Sequence, residues 1–213
     1  MKKSTKLVAL LLSALLALPL TACGDKTEDT PKTSDGAATS EKTSGDNTPG
    51  GDFEANAKEP LDLLNAVWSS YTDDEKFPVA GGDMSEENMN MEGPGKFGIG
   101  DKDALDATLG FPAAAVDKIT AAASLMHMMN ANTFTCGAYS VKNAGDVTEV
   151  ANALKDNIMQ RQWICGFPDK LVIVSADGCV IAFFGENETV NTFNTKLQAA
   201  CASATVICDE AIA

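Results

Sequence analysis

A single histidine, His127, and no Gly-x-Ser-x-Gly elbow leave the chain without the usual parts of an activated nucleophile and its base. The glycine-rich "GPGKFGIG", residues 93–100, lacks the Lys-Ser/Thr pair that cradles phosphate and magnesium, so it reads as loop rather than P-loop. No two cysteines stand in Cys-x-x-Cys spacing, which removes support for a thioredoxin-like or zinc-ribbon reading. Basic residues are scarce, 16 Lys and Arg against 30 Asp and Glu, for a net charge of −14. That sign argues against nucleic acid and against anionic lipid headgroups, and it keeps an extracytoplasmic domain soluble. No internal repeat is present. The longest uncharged apolar run, Leu7 to Leu20, falls short of the about 20 residues that cross a hydrocarbon core of about 30 Å.

What that run does have is a signal-segment context. Lys2, Lys3 and Lys6 precede it as a basic region. Its end, Leu20-Thr21-Ala22-Cys23, resembles the bacterial lipobox, which implies a signal peptide over residues 1–22 and a diacylglyceryl group on Cys23. Two or three acyl chains on one residue hold a protein to a membrane, where one chain binds only marginally. From Gly24 to Asp52 nothing is more apolar than Ala, Pro or Gly, and no period appears, so the segment cannot offset its ordering entropy. Residues 23–57 are therefore expected to be the lipidated cysteine and a disordered tether, with a reach on the order of 30 Å. The expected location is the extracytoplasmic face of the cell membrane, lipid-anchored, with residues 58–213 as one domain.

In that domain Pro60 is placed to open a helix over about residues 60 to 72, with Leu61, Leu64, Trp68 and Tyr71 at helical spacing. Residues 73–100 read as a long loop with one helical turn at Ser85 to Asn90. Asp101 caps a short helix ending at Gly110, and Pro112 opens another with Val116, Ile119, Ala123 and Met126 on one face. Residues 133–141 are β-prone. Asp146 and Glu149 match a capping box before a helix striped by Val147, Val150, Leu154 and Ile158. "KLVIVSADGCVIAFFG", residues 170–185, predicts a hairpin, because Asp177-Gly178 supplies the positive φ angles of a type I′ turn. Val174 then faces Ile181 and Val172 faces Phe183. Both faces are apolar, so the hairpin should be covered on both sides. A last helix from about Glu188 to Cys201 presents Val190, Phe193, Leu197 and Ala200. The expected fold is α+β, an antiparallel sheet in β-α-β-β-α order behind two or three leading helices.

Lipobox, polar tether, the "LGF" turn at Leu109 to Phe111, "MMNANTFTCGAYSVKNAGDVTEVANAL" and "LVIVSADGCVIAFF" together resemble an uncharacterised domain-of-unknown-function family of lipoproteins from Gram-positive bacteria. The resemblance spans about residues 58 to 201. It implies an envelope lipoprotein and brings no catalytic residues with it. The additional cysteines and the segment "GGDMSEENMNMEGPGKFG" depart from the family's pattern.

Two methionine clusters raise a metal alternative, since thioether sulfur is a soft ligand suited to Cu(I). They comprise Met84, Met89 and Met91 in the loop, and Met126, Met128 and Met129 around His127. The competing reading makes Met126 and Met129 pliable core filler at a helix end. Apart from Cys23, five cysteines remain, an odd count that leaves at least one thiol free. Cys201 and Cys208 are the expected disulfide, the intervening segment turning the tail back onto the last helix; Cys136 and Cys179 read as small buried apolar residues. The expectation is a non-enzymatic binding or accessory module without cofactor, with an envelope protein or small molecule as partner and no nucleic acid. A Cu(I)-binding lipoprotein is the alternative.

Overall fold

A computed structural model describes residues 58–83, 85–129 and 133–212; the signal segment, Cys23, the tether and Met84 lie outside them. The protein is α+β, built on a seven-stranded antiparallel sheet in the order β1-β3-β4-β6-β5-β7, with β2 also paired to β3. In chain order the elements are α1 (Pro60–Ser69), β1 (Val79–Ala80), β2 (Gly95–Phe97), α2 (Lys102–Leu109), β3 (Ile119–His127), β4 (Phe134–Val141), α3 (Val147–Met159), β5 (Lys170–Ala176), β6 (Cys179–Gly185), α4 (Asn187–Ala200) and β7 (Thr205–Ala211). No described helix is long and apolar enough to cross a membrane.

The β5–β6 hairpin sits inside the sheet. Asp177 (φ 46°) and Gly178 (φ 82°) make its turn, and Val174 lies opposite Ile181 and Val172 opposite Phe183. Strand alternation sends these four side chains to one core with Leu64, Val67, Val190 and Phe193 of α1 and α4. Leu171, Ile173, Val180, Ala182 and Phe184 point the other way, into a second core with Leu105, Leu109, Val150, Leu154 and Ile158 of α2 and α3. The sheet is thus covered on both faces, two helices to a side.

The short helices end as their sequences dictate. Asp101 Oδ1 accepts from Ala104 N–H at 2.9 Å, and Gly110 closes α2 in the left-handed conformation (φ 71°), its N–H donating to Asp106 O. Asn157 on α3 donates to both Asp106 Oδ1 and Gly110 O, which locks the two helices of this layer together.

Four sequence expectations are corrected. The helix expected from Pro112 is a 3-10 turn, Ala113–Lys118, followed by strand β3. Ala123 and Leu125 serve one core while Ile119 and Ala122 serve the other, so a strand buried on both faces imitates helical spacing. Asp146 makes no capping bond; its carboxylate accepts from Lys118 and Asn143 instead. The segment 73–100 is not one loop. Gly81 and Gly95 pack so closely that a Cβ on Gly81 would lie 2.3 Å from Gly95 N, and this contact lets β1 and β2 share the outer edge of β3. The tail forms an edge strand, β7, against β5 rather than folding onto α4.

Gly137 in central strand β4 carries the fully buried Tyr139 ring folded back over it, which itself meets Phe111 at 4.5 Å. A Cβ at residue 137 would stand 2.1 Å from the Tyr139 hydroxyl. Gly137→Ala is therefore expected to cost about 1–3 kcal/mol by overpacking. A chemical-denaturation midpoint equal to that of the unmodified protein would contradict this.

Candidate functional site

Met126 and His127 face opposite sides of the sheet, and Met84 lies outside the described residues. Successive strand residues face opposite sides, so Met126 packs towards the core under α2 and α3, whereas His127 stacks on Phe77 (4.9 Å between centroids, 6° apart) on the other face. Met128 and Met129 follow the strand and are exposed, as are Met89 and Met91. Met126 and Met129 are consequently not paired on a helix end. His127 Nδ1 accepts the Met129 N–H at 2.9 Å, which leaves the proton of the neutral ring on Nε2. Burial lowers the imidazole pKa, against the opposing pull of Glu186 and the Met129 bond, so the ring is neutral. Its Nδ1 lone pair is engaged by the Met129 N–H, and Nε2 carries the proton.

A cleft of about 400 Å³ opens on the same side as His127, between residues 71–77 and the first turns of α4. Tyr71 and Phe77 line it with rings; Asp74, Glu75 and Glu188 line it with carboxylates, and Thr189 and Thr192 complete it. The rings belong to an aromatic group, Trp68, Tyr71, Phe77 and Phe134, whose neighbouring centroids lie 5.0–6.3 Å apart. Lys196 reaches in from α4: its ammonium lies 2.6 Å from Glu75 Oε2, donates to Ser70 O at 3.1 Å, and sits 5.3 Å from the Tyr71 ring centre. Lys196, and then the Thr72 backbone and hydroxyl, hold the Glu75 carboxyl at about 2. Asp74 and Glu188 have no ion-pair partner among the described residues.

A second polar group surrounds Asp177 in the hairpin turn. Lys58 Nζ is 2.9 Å from Oδ2, Cys201 Sγ donates to the same oxygen at 3.1 Å, and Ser203 Oγ donates to Oδ1. These bonds, that of Lys58 foremost, hold the Asp177 carboxyl at about 2. The group clamps the turn to Lys58 at the start of the domain and to Cys201 and Ser203 after α4. Cys179 beside it donates to Lys58 O, and burial pushes its thiol up to about 11. Asp83 is tied up likewise: burial raises its pKa, but bonds from Ser85, Asn88 and Gly98 outweigh that and hold it at about 2.

The disulfide expected between Cys201 and Cys208 is absent. Both thiols are free, and they lie in the two different cores, Cys201 under α1 and α4 and Cys208 on the opposite face of the sheet. Cys136, Cys179, Cys201 and Cys208 are buried, and Cys165 is exposed. With Cys23 removed, a chromogenic thiol reagent should find one rapidly reacting thiol in the native protein and five after unfolding. Three after unfolding would restore a disulfide.

No family model, curated protein or solved structure matches the chain, so its function is read from these residues alone.

Proposed function

We propose that the chain is a lipid-anchored, non-enzymatic binding module of the cell envelope. Residues 1–22 are then its signal peptide, Cys23 its acylated first residue, 23–57 its tether and 58–213 its binding domain, in keeping with the resemblance to uncharacterised Gram-positive lipoproteins. The ligand site is the cleft beside α4, and the ligand carries an ammonium or guanidinium group on an apolar frame. Lys196 carries this reading: its own ammonium is already held there by a carboxylate, a carbonyl and an aromatic face. Asp74 and Glu188 offer the same chemistry to a second cation, with Phe77 as the apolar wall. Support for a non-enzymatic role comes from the polar groups themselves, since His127, Cys201 and Ser203 are each engaged in structural bonds.

Two measurements test the two halves of the reading. Cys23→Ser should move the protein from the detergent phase to the aqueous phase on phase separation; unchanged detergent partitioning would remove the anchor. Equilibrium dialysis with spermidine as the probe should show saturable binding that weakens about tenfold, roughly 1.4 kcal/mol, in Asp74→Asn/Glu188→Gln. The charge-matched control Asp62→Asn/Glu86→Gln should bind as the parent does. Equal weakening in both double variants would reduce the effect to net charge and sink the cleft.

A further inference from the structure

We infer that the loop between α3 and β5 is a second membrane contact, with Ile164 and Phe167 entering the bilayer to which Cys23 holds the chain. Those two side chains are 87% and 72% exposed, more than any other large apolar residue among the described ones. Cys165 and Gly166 stand between them, and Gly166, at φ 77°, turns the backbone there. The base of the loop is fixed, not loose. Trp163 packs on Phe184 at 5.4 Å, Arg161 lies 5.5 Å over the Trp163 ring, and Pro168 is buried. Trp163, its Nε1 buried and its ring packed on the core, ties the loop to the domain and leaves the two apolar side chains as the tip.

The bilayer is preferred to a second copy of the chain on grounds of area. A stable protein interface buries about 1,200–2,000 Å² over a complementary surface, and a convex tip of two side chains does not supply it. A bilayer requires no complementary shape. The acidic chain gains nothing from anionic headgroups, so such a contact has to be apolar. Tether geometry permits it: the chain leaves the domain at Lys58 beside the β5–β6 turn, and β5 sets Lys170, where the loop ends, about 20 Å from there at 3.4 Å per residue. The proposed tether, with its expected reach on the order of 30 Å, exceeds that distance. It also makes a weak contact effective, because a tethered partner acts at about millimolar concentration. The inference rests on the anchored reading for its setting, but the loop can be tested separately.

Cys165, exposed in the same tip, supplies the probe. The lipidated chain, labelled there with a polarity-sensitive fluorophore, is floated with phosphatidylcholine vesicles. Its emission should shift to the blue and be quenched at least about twofold by nitroxide on the acyl chains. Ile164→Ser/Phe167→Ser should float equally and lose both effects. Flotation with unshifted, unquenched emission would overturn the proposal. If the chain does not float, the anchor has failed and not the loop. The labelled chain from residue 23 with Cys23→Ser, mixed with about 10 mM lipid, then decides, since the same shift is expected there and its absence overturns the proposal. A blue shift that grows with protein concentration and needs no lipid would assign the tip to a second copy and overturn the bilayer.

Discussion

The structure depends on a sheet whose central strands, β4, β6 and β5, are apolar on both faces. Burying a Val, Leu, Ile or Phe side chain is worth about 1.5–3 kcal/mol, so neither face can be left to water. Alternation along β5 and β6 divides Val172, Val174, Ile181 and Phe183 from Leu171, Ile173, Val180 and Phe184, which makes two cores from one hairpin. The helices are distributed accordingly, α1 and α4 to one side and α2 and α3 to the other. Small residues serve the same need at the strands' crowded points: Ala123 lies beneath α1, and Gly137 makes room for the Tyr139 ring.

Elements whose signals are local were legible from sequence. Asp177-Gly178 specifies its turn through backbone angles that few other dipeptides adopt, and the turn then sets the pairing of every residue in the hairpin. Asp101 and Gly110 bracket α2 for equally local reasons. Strand β3 was not legible, because its apolar residues satisfy the helical period and the strand period together, and its partner β4 decides between them. β1 and β2 are two and three residues long, and glycine-to-glycine contact positions them rather than any periodic pattern. In β7 only Cys208 is buried, which leaves no alternation to read. Asp146 shows competition: a capping carboxylate was visible, but the Lys118 ammonium that draws it away was not. The cleft could not be found from sequence for a related reason. Its walls, residues 71–77 and 188–192, are more than a hundred residues apart and share no motif.

Most of the chain's polar chemistry is directed at holding parts of the fold together. Asp83, Asp146 and Asp177 each collect several donors, Ser124 bonds both backbone groups of Gly82, and Lys118, Lys155 and Lys170 pair with carboxylates on neighbouring elements. Asp74 and Glu188 share with Asp62 and Glu86 the lack of an ion pair among the described residues and differ from them in lining the cleft, while Ile164 and Phe167 protrude from the loop before β5. Asn187 N–H donates to Asp169 and the Lys170 ammonium to Asn191, so the first turn of α4 and the residues that follow the loop meet at one end of the sheet.

The Asp177 clamp has a mechanical consequence. Lys58, the first described residue, is joined to this turn by its ammonium at 2.9 Å and by its backbone N–H at 3.1 Å to Asp177 O, and its carbonyl accepts from Cys179. A load arriving through the chain before Lys58 passes along the backbone into α1, but it meets these three contacts first. They act side by side, so they must give way together before α1 can be drawn off the sheet. The turn of one hairpin thus serves as the latch for a helix more than a hundred residues earlier in the chain.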